Sequence, residues 1–129
     1  MRILEGIVLQ TDELIRNLEK QDSRPSIGLT REAIWHYLKR VSLTESQKKK
    51  LRAIALAALH QQMRREFWKM CKLMHYINDE SFCAAVRRYM NWSDEKIRKR
   101  AALLYAYLQS LEEGAKARHK FCNEYLREK

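Results

Sequence analysis

Two pairs of metal-ligating side chains stand at helical spacing: Cys71 and His75 are four residues apart, His119 and Cys122 three apart. Either spacing puts both side chains on one face of a helix. Together the pairs have the donor set of a tetrahedral zinc site with two thiolates and two imidazoles. The helical wheel opposes this. His119 and Cys122 fall within the apolar arc of their helix, Cys71 at the flank of its stripe, and His75 on the polar side. The expectation is therefore two unrelated pairs, Cys122 a small core residue, and no metal or other cofactor. His36 and His60 share no pattern with these. The sequence holds no glycine-rich phosphate loop, nucleophile elbow or paired-histidine zinc helix. It also lacks the Glu-x-x-His pairs of di-iron bundles. The chain reads as a protein that is not an enzyme; a small enzyme with a pocket between helices is the third-ranked reading.

The stronger pattern is cationic. Arg64, Arg65, Trp68, Lys69, Lys72 and His75 share the side of one helix opposite Phe67, Met70 and Met74. Trp68 stands four residues from both Arg64 and Lys72. An aromatic ring among cations suits a protein interface, where Trp and Arg are common anchors. It also suits nucleic acid, where cations meet phosphates and the ring stacks on a base. The competing reading buries Trp68 in the core and leaves the cations merely solvated. Arg98, Lys99, Lys116, Lys120 and Arg127 line the outer side of the last helix. Lys48, Lys49, Lys50 and Arg52 stand near the start of a helix, where its dipole disfavours them. The candidate partner-binding set is Arg64, Arg65, Trp68, Lys69, Lys72, Arg98, Lys99, Lys116 and Lys120.

The totals agree with such a surface. Among 129 residues, 26 Lys and Arg oppose 16 Asp and Glu, a formal net charge of +10. Residues 1–22 hold three basic and five acidic side chains, −2 in sum, so the remainder carries +12. A positive surplus favours an acidic partner: an acidic protein surface first, nucleic acid second. Three cysteines without close spacing argue against a disulfide framework. Glu5, Asp12 and Glu13 interrupt any apolar leader, and no apolar run approaches the ~20 residues of a membrane span. These features predict an intracellular protein, cytoplasmic or nuclear, with membrane binding ranked last.

The elements that must position these residues are helices. With 46% hydrophobic residues, three glycines and one proline, the chain is too apolar for disorder and too poor in turn residues for a β fold. Apolar positions recur by threes and fours over residues 2–20, 31–41, 45–77, 79–91 and 94–127. The only loop-like stretch, residues 21–29, holds Pro25 and Gly28. Ser42…Glu45 and Thr44…Gln47 are overlapping capping boxes that start the third helix. Asn78 and Ser93 are expected to cap the fourth and fifth. In the third helix the early stripe, Leu51, Ile54, Ala55, Ala58 and Leu59, is rotated from the later one, Met63, Phe67, Met70, Met74 and Ile77. Its halves therefore face different neighbours, or it bends near His60, Gln61 and Gln62. In the fifth, Arg118 is the one polar intruder in an apolar line, and Gly114 weakens the middle by about 1 kcal/mol and marks a bend or break.

The fold expectation is a single all-α domain, an up-and-down bundle of four to five helices, two of them long. The functional expectation is a non-catalytic binding or adaptor domain docking an acidic protein partner through the outer faces of its third and fifth helices. Nucleic-acid binding through the same cations is the alternative. The heptads of the last helix also allow a second copy to pack there.

Overall fold

The computed structural model describes the backbone of residues 2–20, 31–61 and 65–127, and the side chains of residues 11–20, 31–61 and 66–120. All regular structure among these residues is helical. The described residues form seven helices: α1 (Arg2–Glu19), α2 (Arg31–Leu38), α3 (Glu45–Ala58), α4 (Arg65–Ile77), α5 (Glu80–Tyr89), α6 (Glu95–Gln109) and α7 (Leu111–Arg127). The expected count of four to five falls short because both long helices are divided. Pro25, Gly28, Met63 and Arg64 lie outside the described residues, as do the side chains of Leu4, Ile7, Val8, Arg65, Phe121, Cys122, Tyr125 and Arg127.

The third helix ends where its apolar stripe rotates. Leu59, His60 and Gln61 each donate to the carbonyl three residues back, at 3.1–3.2 Å, instead of four back. Such bonds tighten and close a last turn. Arg100, 41 residues away, donates to the Leu59 carbonyl at 3.0 Å. The last helix divides at Ser110, which is extended (φ −166°, ψ 158°). Its hydroxyl accepts from the Glu113 amide at 3.0 Å and caps α7. Gly114, expected to mark the bend, is instead helical and buried four residues beyond the corner. A Cβ there would lie 2.6 Å from Tyr107 Cε1 and closer still to Cγ and Cδ1. Only a glycine lets α7 fold back this tightly on the Tyr107 ring.

Of the two overlapping boxes, Thr44…Gln47 forms. The Gln47 amide donates to Thr44 Oγ1 at 3.1 Å, and the Thr44 amide to Gln47 Oε1 at 2.9 Å. Gln47 Nε2 also donates to Asp12, which ties α3 to α1. The next two caps fall one residue later than expected. Asp79 accepts from the Phe82 amide at 2.7 Å and Asp94 from the Lys96 amide at 2.8 Å. A carboxylate beside the positive end of a helix is the better acceptor in both places.

Two helices take most of the packing: α4 lies against α2, α3 and α6, while α6 lies against α4, α5 and α7. Neighbours on three sides bury α4 over most of its circumference. Phe67, Trp68, Met70, Cys71, Leu73, Met74 and Ile77 all join the core. One apolar cluster runs from Leu14 to Leu108 and includes Ile15, Trp35, Leu51, Phe82 and Tyr107.

Side chains from elsewhere in the chain close four helix ends. Arg31 donates to the Asn17, Leu18 and Lys20 carbonyls of α1 at 2.8–3.2 Å, and its Nε meets the Glu66 carboxylate at 2.9 Å. Trp35 Nε1 donates to the same carboxylate. Arg100 closes α3 as above. Arg52 takes the Ile77 carbonyl of α4 at 2.7 Å and pairs with Asp79 at 3.0 Å. His75 Nδ1 donates to the Tyr107 carbonyl of α6 at 2.9 Å. Helix C-termini expose unpaired carbonyls and partial negative charge, which these groups satisfy.

Candidate functional site

A groove of about 590 Å³ opens between the C-terminal end of α2, the last turns of α4 and the first half of α7. It is lined by Lys39, Lys72, Tyr76, Tyr107, Leu111, Ala115, Arg118 and His119. Two large exposed hydrophobic side chains stand on it: Tyr76 is 64% exposed and Leu111 38%. The corner at Ser110 brings α7 round to form the third wall, and the Tyr107–Gly114 contact sets how closely it approaches.

Among the described residues the groove is lined by cations and by no acid. Lys72 is held below the ordinary lysine value, first by partial burial and then by Lys69, Lys39 and Arg118. All three of these charged neighbours are positive. His36, on the adjacent turn of α2, is lowered first by Arg40, then by burial, Lys69, Lys39 and Lys72. Arg40 Nη2 lies 3.2 Å from His36 Nε2, which accepts as a neutral imidazole. Arg118 lies over the Trp68 ring, its guanidinium carbon 4.9 Å from the ring centroid. Among the described residues no carboxylate pairs with Lys39, Lys69, Lys72 or Arg118.

The structure thus redistributes the cations singled out in the sequence. Lys69 and Lys72 stay together on α4. Trp68 is only 9% exposed, packed edge-on against Phe67 at 5.8 Å and covered by Arg118, so it supports the groove from beneath instead of standing between cations at the surface. Arg98 donates to the Trp92 and Ser93 carbonyls at 2.7 and 3.0 Å and braces the junction between α5 and α6. Lys99 pairs with Glu95, one turn away on α6. Lys116 lies between Glu112 and Glu113 on α7. Lys120 is exposed beyond the groove, and Arg64 and the Arg65 side chain are outside the described residues. Lys39, Tyr76, Arg118 and His119 are groove residues absent from the sequence-derived set.

Of the residues weighed as zinc ligands, Cys71 is fully buried in the core, where its thiol is pushed well above the ordinary range by burial. His75 is engaged by the Tyr107 carbonyl, His119 lines the groove, and the Cys122 side chain is undescribed. Among the described residues no three His, Cys, Asp or Glu side chains come together. Among them, too, no helix is long and apolar enough to cross a membrane. No protein-family model, curated protein or solved structure matches this chain.

Proposed function

We propose that this chain is a non-catalytic helical binding domain that docks an acidic segment of an intracellular protein partner in the groove between α2, α4 and α7. The observation that carries this reading is the convergence of Lys39, Lys72 and Arg118 on one groove whose described lining contains no acid. Like charges held together destabilise the free protein. An acidic ligand relieves that repulsion and gains attraction, so the binding energy is concentrated there.

A protein segment fits better than a nucleic-acid strand. Strand binding is served by cations that track a backbone over several nucleotides. Here the cations that would extend the track, Arg98, Lys99 and Lys116, are engaged with carbonyls or carboxylates. Tyr76 and Leu111 add the exposed apolar surface that a peptide side chain can cover.

The test is binding of a fluorescent glutamate-rich peptide by anisotropy. The full chain should bind it, and Lys39→Glu with Lys72→Glu should abolish binding with helicity unchanged. Charge reversal at Lys99 and Lys116 should change little. Equal losses from both pairs of substitutions would show that net charge alone governs binding, and the groove would lose its role.

A further inference from the structure

Each wall of the groove supplies one cation of a different kind of reach: Lys39 just past α2, Lys72 on α4 and Arg118 on α7. A single carboxylate brings one negative charge to this cluster. A phosphomonoester brings about −1.5 to −2 near pH 7, together with three strong acceptor oxygens. Three cations on one concave surface match the second ligand.

Arg118 strengthens the match. With its guanidinium laid over Trp68, it has given up much of its rotamer freedom before any ligand arrives. Among the described residues it makes no ion pair and no hydrogen bond to a carbonyl, so its planar edge remains for a forked pair with an oxyanion. The two lysines supply point charges from the other walls. Beside them, Tyr76 and Leu111 form an exposed apolar shelf.

We propose that the groove is a phosphomonoester site, taking a phosphoserine or phosphothreonine on the partner's acidic segment, with an adjacent apolar side chain against Tyr76 and Leu111. This rests on the reading of the groove as the docking surface and names the chemistry that the partner carries. Arg118 forks onto two phosphate oxygens, while Lys72 and Lys39 neutralise the remaining charge.

The experiment compares one short acidic peptide, with leucine beside a central serine, in phosphoserine and serine forms. Both are titrated against the full chain by fluorescence anisotropy, beside a single-stranded RNA of equal charge. The phosphorylated form should bind at least about tenfold more tightly than the serine form. Arg118→Lys keeps the charge but not the fork, and should remove most of that preference. If circular dichroism shows that Arg118→Lys is misfolded, Lys39→Met on the opposite wall takes its place and should likewise reduce the preference. Equal affinity for the two peptides would overturn the phosphate assignment and leave peptide docking intact. Failure of both peptides to bind would overturn both readings. RNA binding tighter than the phosphopeptide would overturn them as well, in favour of a nucleic-acid partner.

Discussion

Replacing Gly114 by alanine sets two physical effects against each other. In a helix interior alanine is favoured over glycine by about 1 kcal/mol, so helix propensity alone makes Gly114→Ala stabilising. The corner reverses the sign. The new methyl would lie 2.6 Å from Tyr107 Cε1 and closer to two other ring carbons, where contact carbons sit about 3.5–4.0 Å apart. The ring is 1% exposed and in the core, so it cannot swing into solvent. Relief requires moving the ring or backing α7 away by about an ångström, an overpacking penalty of roughly 3 kcal/mol. The net loss should be about 2 kcal/mol, or a fall of roughly 6–10 °C in Tm for a chain of this length. Urea and thermal unfolding followed by circular dichroism measure it. In a Tyr107→Ala background the clash is gone, and Gly114→Ala should be neutral or stabilising by up to about 1 kcal/mol. A rise in Tm from Gly114→Ala alone, or an equal loss in both backgrounds, would refute the packing of this corner.

Arg31→Met should destabilise by about 2–3 kcal/mol, since it leaves the partly buried Glu66 carboxylate unpaired and three α1 carbonyls uncapped; hydrogen exchange should show α1 loosening first. Iodoacetamide should modify Cys83 in the folded protein and reach Cys71 only on unfolding, as peptide mass spectrometry would show. Both thiols are raised by burial, but Cys71 is fully enclosed and Cys83 only partly. Lys72→Met should stabilise the free protein by about 0.5 kcal/mol at pH 7, a figure kept small by solvent screening. Because the folded-state value of Lys72 lies below 10.5, the wild type sheds this strain as pH rises towards 10.5, and the advantage of Lys72→Met should shrink there in paired urea titrations. An advantage that does not change with pH would assign the effect to packing instead of charge.

Helical periodicity and the scarcity of glycine and proline were enough to read an all-helical chain, but not its divisions. The end of α3 carries no breaker residue. It is made by three hydrogen bonds that reach back three residues instead of four and by Arg100 from a distant helix, and only the rotation of the apolar stripe hinted at it. The α7 start was written more openly: Ser110 and Glu113 stand at the same spacing as Ser42 and Glu45. The division lies four residues before Gly114, a glycine that serves a close approach and not a turn. In the site, Arg118 stood out as the one cation in an apolar line, and its reason is Trp68 beneath it. The burial of Trp68 had no local signal, because it depends on α4 having neighbours on three sides. The pairs Glu95–Lys99 and Glu112–Lys116 follow from one-turn spacing, whereas the use of Arg98 on the Trp92 and Ser93 carbonyls depends on how the chain turns between α5 and α6.

The three walls of the groove come from residues 39, 72 and 118. During synthesis the first two emerge long before the third, and the surface they form alone is open on one side. If a partner docks there as proposed, recognition of all three cations would distinguish a chain folded through α7 from one still in progress. Proteolysis within α7 before Arg118 would run the same sequence backwards, removing the third cation from the proposed docking surface.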